Sequence, residues 1–202
     1  MKYELTLQLE NVFGGDGYIR KELIKQPKLS RKKVRSRKSE DIGISVDRSM
    51  QEELYDVVEK PIHTFKQENG KYYLRLGGVH GKFWGILREI GYLLRETGQE
   101  FGSKAEVDRL LTKVMITPVF VELRDVKNIH IEQLPQMLNV IGKHSMDFPY
   151  FDVIENCKAN IMIEFPEIFQ EKVDKLLANL EKFPCLNKRR AIIKILEKKV
   201  VE

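Results

Sequence analysis

Apolar and polar residues alternate most regularly at the N-terminus, where the four apolar residues from Tyr3 to Leu9 are each separated by one polar residue. A period of two is typical of a strand with one buried face, so the pattern predicts a first core strand over residues 3–12. The glycine-rich stretch 14–17 then ends the strand.

Apolar residues recur at helical spacing in two longer segments, 82–97 and 167–183, and both are predicted to be amphipathic helices. A third helix is predicted to begin after Ser103, because a glutamate three residues later completes a capping-box sequence. This helix is expected to end near Leu111. Two further short helices are predicted over 50–58 and 132–142.

Shorter apolar runs predict the remaining strands. The step Asn69-Gly70 is typical of a type I′ turn and predicts a hairpin between 62–66 and 72–76. In the next predicted strand, 115–123, Pro118 indicates either a strand at the edge of the sheet or a β-bulge. The other predicted strands cover 150–154, 158–165 and 190–197.

Without its insertions, the predicted chain has the order strand, helix, strand, strand, helix, strand. This βαββαβ order is that of the α+β ferredoxin-like fold, which RNA-recognition domains also use. We therefore expect residues 1–202 to form a single ferredoxin-like (RRM-like) domain with insertions, and residues 14–60 to be a basic arm or hairpin inserted within it.

Charge is distributed unevenly along the chain. The 202 residues have a formal net charge of +5, but residues 18–40 alone contain ten Lys or Arg against two acids, which leaves 25 bases and 28 acids elsewhere. Such a block is typical of contact with nucleic acid, because each phosphate that it neutralises releases counterions. The alternative is a solvated loop. The candidate RNA-binding residues of the block are Arg31, Lys32, Lys33, Arg35, Arg37 and Lys38.

Three glycines, Gly77, Gly78 and Gly81, lie within five residues at the predicted start of the first core helix. A glycine turn before a helix presents backbone N–H groups to an anion, and Lys82 adds a full positive charge. The turn is thus a candidate phosphate site, with a tight strand-to-helix connection as the structural alternative. It is not a nucleotide-binding P-loop, because Leu76 and Phe83 occupy the positions of that motif's first glycine and hydroxyl residue.

The histidines and cysteines carry no recognisable catalytic or metal pattern. The four histidines lack metal-ligand spacing, and the two cysteines are far apart, so we expect no metal, cofactor or disulfide. His80 leaves one catalytic alternative open, a general base that acts with Lys82 in metal-free RNA cleavage. The non-catalytic alternative is that His80 is a turn histidine that forms a hydrogen bond with the backbone or with a phosphate.

Two more sets of cations are candidates. Arg88 lies beside the apolar stripe of its predicted helix, either as a ligand group or as a surface salt-bridge partner. Near the C-terminus, Lys188, Arg189 and Arg190 precede the last strand, where they either contact phosphate or interact with the end of the preceding helix.

Three segments together resemble the RAMP superfamily of CRISPR-associated RNA-binding proteins. They are the first strand that ends in Gly-Gly (Leu5 to Gly15), the helix entry Gly81-Lys-Phe-Trp-Gly-Ile-Leu-Arg-Glu89, and the late Glu164-Phe-Pro, helix and Lys188-Arg-Arg-Ala-Ile-Ile-Lys194 strand. The helix entry is similar to that family's glycine-rich turn with a following Lys and Arg. The likeness in element order covers nearly the whole chain.

The resemblance implies a ferredoxin-like core that holds single-stranded guide RNA along its backbone, with the segment 18–46 as a hairpin between nucleotides. It assigns backbone contacts to Lys82, Arg88 and the tract 31–38. We therefore expect a non-catalytic, cytoplasmic subunit of a CRISPR antiviral-defence ribonucleoprotein, with RNA and other subunits as partners and no membrane contact. The alternatives are a metal-independent endoribonuclease and a ribonucleoprotein interaction subunit.

Overall fold

The computed structural model describes residues 1–27, 55–79, 81–98, 101–134, 136–140, 143–180 and 191–201. Eleven strands are found in these ranges: β1 (Lys2–Phe13), β2 (Ile19–Pro27), β3 (Tyr55–His63), β4 (Lys66–Glu68), β5 (Lys71–Arg75), β6 (Met115–Thr117), β7 (Phe120–Gln133), β8 (Gln136–Val140), β9 (Lys143–Asp147), β10 (Tyr150–Glu164) and β11 (Ile192–Val201). The helices of the same ranges are α1 (Lys82–Glu96), α2 (Lys104–Leu111) and α3 (Gln170–Ala178).

The α+β class is confirmed, and the main sheet has the order β11-β1-β10-β7-β5-β4 with every neighbouring pair antiparallel. The odd-numbered residues of β1 from Tyr3 to Leu9 are buried, as their alternation predicts. They share one core with the buried faces of α1, α2 and α3. The even-numbered residues of β1 from Lys2 to Glu10 are half-exposed on the opposite face.

Local signals predicted several element ends correctly. The Ser103 side chain accepts the N–H of Glu106 (3.2 Å) at the start of α2, and the Glu106 carboxylate accepts the N–H of Gly102 (2.9 Å). Asn69 and Gly70 have φ angles of 51° and 74°, and they join β4 to β5 as a type I′ turn requires. Helix α1 ends at Glu96, one residue before the predicted end.

Two of the predicted short helices are wrong in the described residues. Residues 55–58 of the predicted helix 50–58 belong to β3, and residues 50–54 lie outside the described residues. The described residues of the predicted helix 132–142 form instead the end of β7, Leu134 and β8, and residues 135, 141 and 142 lie outside the described residues. Both segments pair with a neighbouring strand, so the backbone hydrogen bonds are made between strands and not within a helix.

The strands near the C-terminal half are longer than predicted. The two strands predicted over 150–154 and 158–165 are the single strand β10, whose pairing with β7 shifts register between Asn156 and Lys158.

The predicted helix 167–183 begins with a 3₁₀ turn at Glu167–Phe169, and α3 follows. In the strand predicted over 115–123, Pro118 separates β6 from β7 after a cis peptide bond.

None of the described helices combines the length and the apolar composition that a membrane crossing requires.

Candidate nucleic-acid interface

The glycine turn at 77–81 packs directly on the backbone of the segment that links β6 to β7. A Cβ atom on Gly77 would lie 2.2 Å from the carbonyl oxygen of Pro118, and one on Gly81 would lie 2.2 Å from that of Gly77. Gly78 has φ +76°, a left-handed conformation that glycine adopts without strain. Close packing and turn geometry thus explain why all three positions are glycine.

The N–H groups of the three glycines of this turn already have acceptors within the protein. Gly77 donates to Val119 O (3.2 Å), and Gly78 donates to Ile116 O (2.8 Å). Gly81 donates to Gly78 O (3.1 Å) in the same way. The geometry therefore favours the strand-to-helix connection over an anion cradle, and phosphate contact by these glycines stays a prediction.

Lys82 is held by a carboxylate that sequence reasoning missed. Its Nζ lies 3.2 Å from Asp16 Oδ1 and 3.5 Å from the carbonyl oxygen of Phe13, and its side chain is only 14% exposed. Asp16 also accepts the backbone N–H of Arg75 (3.0 Å). Lys82 thereby links the start of α1 to the glycine turn that follows β1.

Arg88 links α1 to α2. Its Nε donates to Asp108 Oδ1 (2.8 Å), and the Tyr92 hydroxyl donates to the same carboxylate (2.9 Å). The guanidinium also lies 5.6 Å from the centre of the Trp84 ring. The pKa of the Asp108 carboxyl is held below its usual value, first by Arg88 and then by Tyr92. The structure thus places Arg88 in the salt-bridge role that the sequence left open.

The inserted segment enters and leaves the core as a β-hairpin. Strands β2 and β3 pair antiparallel from Ile19 opposite His63 to Pro27 opposite Tyr55, and β3 also pairs with the start of β10. At about 3.4 Å per residue, the far end of the hairpin lies about 27 Å from its base.

A buried polar cluster anchors the base of this hairpin. Asp152 on β10 is 3% exposed, and its carboxylate accepts hydrogen bonds from Arg20 Nη2 (2.7 Å), Arg20 Nε (3.2 Å) and the Thr64 hydroxyl. The pKa of Arg20 is raised, chiefly by its hydrogen bonds to Asp152. The first cation of the basic block therefore has a structural role.

Glycine packing and ring stacking complete the anchor. A Cβ atom on Gly14 would lie 2.5 Å from the backbone of Thr64, and the N–H of Gly15 donates to Thr64 O (2.9 Å). The His63 ring stacks on Phe151 with their centres 4.9 Å apart. The hairpin base is thus fixed to β1 and β10 by several independent contacts.

Many of the described lysines form ion pairs with carboxylates: Lys2, Lys21, Lys66, Lys71, Lys172, Lys175, Lys194, Lys198 and Lys199.

Ten of the predicted RNA contacts lie outside the described residues: Arg31, Lys32, Lys33, Arg35, Arg37, Lys38, His80, Lys188, Arg189 and Arg190.

Gly77, Gly78, Gly81 and Lys82 lie together at the start of α1. Arg88 is instead hydrogen-bonded to Asp108 of α2. Sequence reasoning missed Asp16, Asp108 and Asp152. These acids are separated from their partners by 66, 20 and 132 residues, so no local signal connects them.

Among the described residues, no group of three His, Cys, Asp or Glu side chains is arranged to hold a metal ion. No protein-family model matches the chain, and no curated protein matches it significantly.

Proposed function

We propose that this chain binds single-stranded RNA through its phosphates, as a non-catalytic subunit of a RAMP-like ribonucleoprotein of the CRISPR type with a ferredoxin-like core. The support comes from the topology, from the position of the basic tract 28–38 in the sequence, and from the engagement of Lys82 and Arg88 by carboxylates.

The topology supports the ferredoxin-like part of this proposal. Along the chain, the core elements follow the order β1, α1, β7, β10, α3, β11. In the sheet, the four strands lie in the order β11-β1-β10-β7. Strand β10, the third along the chain, thus lies between β1 and β7, the first two, which is a split βαβ arrangement. The β2–β3 hairpin is inserted between β1 and α1.

One observation carries the RNA-binding part. The tract 28–38 contains seven Lys or Arg and no acid, and it follows Pro27 directly at the far end of an anchored hairpin. The anchor at Arg20 and Asp152 fixes that end relative to the sheet, about 27 Å from the base at 3.4 Å per residue. The basic tract is thus joined in sequence to the far end of an anchored hairpin.

A polyanion is the partner that such a tract recognises best. Each neutralised phosphate releases counterions, which makes binding strong at low salt and tolerant of sequence. The proposal is for binding alone, because Lys82, which the nuclease hypothesis needs beside a reacting phosphate, is held by Asp16.

The test compares two variants that each remove six positive charges. In the tract variant, Arg31, Lys32, Lys33, Arg35, Arg37 and Lys38 are replaced by Gln. In the matched control, Lys66, Lys71, Lys104, Arg109, Lys113 and Lys175 are replaced by Gln.

Fluorescence anisotropy with a labelled 30-nucleotide RNA is expected to show loss of binding in the tract variant and retained binding in the control. Equal affinities of the two variants would contradict the proposal. Retained RNA binding by the tract variant, with loss of a partner protein in pull-down, would favour the interaction-subunit alternative instead.

A further inference from the structure

The face of the sheet opposite the core carries a line of three cations and one glutamine that crosses four strands. Gln8 on β1 pairs with Lys158 on β10 and with Lys194 on β11, and Lys158 pairs with Arg124 on β7. Directly paired residues point to the same face of a sheet. At a strand spacing of about 4.8 Å, the line is about 14 Å long.

A cavity of about 410 Å³ opens beside this line, and Lys127 lies on its wall. The cavity is lined by Gln8, Asp125, Val126, Lys127, Asn156 and Lys158. Asp125 has φ 51°, and β10 shifts its register against β7 at this point, so the strands depart from regular pairing here. Such bulges redirect side chains and often border binding sites.

Positive charge exceeds negative charge in this place. We call Arg124, Lys127, Lys158 and Lys194 the open-face cluster. Two carboxylates are in contact with it: Asp125 lies 2.8 Å from Lys158, and Glu10 lies 3.0 Å from Lys194.

The pKa of Asp125 is held below its usual value by Lys158 first, with Lys127 and Arg124 adding to the effect. Arg124 and Lys127 form no ion pair within the described part of the chain. Two positive charges of the cluster are therefore not compensated by a described carboxylate.

The side chains around the cavity suit a nucleotide. Arg and Lys bind phosphate oxygens, and the amides of Gln8 and Asn156 carry both donors and acceptors for a base edge. The Gln8 amide nitrogen also donates to Glu10 Oε1 (3.3 Å), and its second N–H can still bind a base. The lining contains no aromatic ring, so recognition here uses charge and hydrogen bonds and not base stacking.

We infer that the open-face cluster binds a segment of single-stranded RNA, with neighbouring phosphates at Arg124, Lys127 and Lys158 and a base edge at Gln8 and Asn156. This inference rests on the proposed function, and it adds a second contact surface on the sheet to the basic tract on the hairpin.

The test uses an Arg124→Gln/Lys127→Gln variant, because both side chains are exposed and neither substitution breaks a described ion pair. The control is Arg109→Gln/Lys113→Gln, which removes the same charge from exposed positions at and just after α2. The affinity for a 30-nucleotide RNA is measured by anisotropy over a range of salt concentrations.

The open-face variant is expected to bind more weakly, with a salt slope shallower by about 1.4, at about 0.7 per phosphate contact on single strands. The control is expected to keep the wild-type slope. Photo-crosslinking of 4-thiouridine RNA is expected to label a peptide that contains Asn156 and Lys158.

If the wild type binds RNA but the open-face variant behaves like the control and no such crosslink forms, the inference is overturned while the proposed function stands. If the wild type binds no RNA, both are overturned.

Discussion

Replacing Arg20 by Met should destabilise the protein far more than the same change at the neighbouring Lys21. The Asp152 side chain is 5% exposed, and without Arg20 its carboxylate keeps the Thr64 hydroxyl as its one described side-chain donor. Leaving a buried charge unpaired costs about 3–5 kcal/mol. Because the Arg20 side chain is 40% exposed, water replaces part of its contribution, and we expect a loss of about 2–3 kcal/mol.

Lys21 is the matched control, because it lies on the same strand and pairs with Glu59 at the surface. The two side chains are 70% and 57% exposed, so Lys21→Met is expected to cost less than about 0.5 kcal/mol. The difference is large against a total free energy of unfolding of about 5–15 kcal/mol.

Urea denaturation followed by the fluorescence of Trp84, the single tryptophan of the chain, measures both variants. Arg20→Met is expected to lower the midpoint by roughly 1 M, given an m value of about 1–3 kcal/mol/M. A double-mutant cycle with Asp152→Asn should give a coupling energy of at least about 1 kcal/mol, because the neutral amide leaves no unpaired charge. Equal midpoints for Arg20→Met and Lys21→Met, or additive effects in the cycle, would refute the anchor.

The remaining predictions concern the glycine turn, a buried thiol and the α2 cap. Gly77→Ala should lower the free energy of unfolding by about 1–3 kcal/mol, because its Cβ would meet a carbonyl oxygen at 2.2 Å. Gly85→Ala, where the Cβ meets nothing, should raise it by about 0.5–1 kcal/mol; chemical denaturation measures both, and equal effects would contradict the packing argument. Burial raises the pKa of Cys157 to about 12, so in a Cys185→Ser variant a thiol reagent at pH 8 should react only after unfolding, and rapid labelling of the native state would contradict this. The Lys172 ammonium, followed by a backbone N–H, lowers the pKa of Glu106 from 4.5. The carboxylate therefore stabilises the fold above that value and loses this effect as the pH falls through the lowered pKa. Glu106→Gln should cost no more than about 1 kcal/mol at pH 7 and nothing at low pH, and a cost that does not change with pH would count against the ion pair.

Sequence predicted those elements whose signal is local. The alternation around Leu5, the Asn69-Gly70 turn and the Ser103 cap each depend on residues within a few positions, and the structure confirms all three. Residues 124–133 of β7 are mostly exposed, so they have no buried face to produce an alternation. The sequence therefore does not predict that β7 continues to Gln133 or that β8 pairs with β9.

The candidate site could be predicted only in part. Composition revealed the basic tract, but the carboxylates that hold Lys82 and Arg88 come from distant parts of the chain. The open-face cluster arises from the register of four strands, in which Gln8 and Lys158 are separated by 150 positions. Register between distant strands depends on the whole fold, and no single segment encodes it.

The salt dependence of RNA binding by the wild-type chain tests the central claim most directly. The association constant for a 30-nucleotide RNA is measured at several salt concentrations, and its logarithm is plotted against the logarithm of the salt concentration. If the six predicted tract cations and at least two of the open-face cluster contact phosphates, the slope should be about −5 to −6, at about 0.7 per contact. A slope near zero, or no binding at low salt, would contradict the claim that this protein holds RNA through its phosphates.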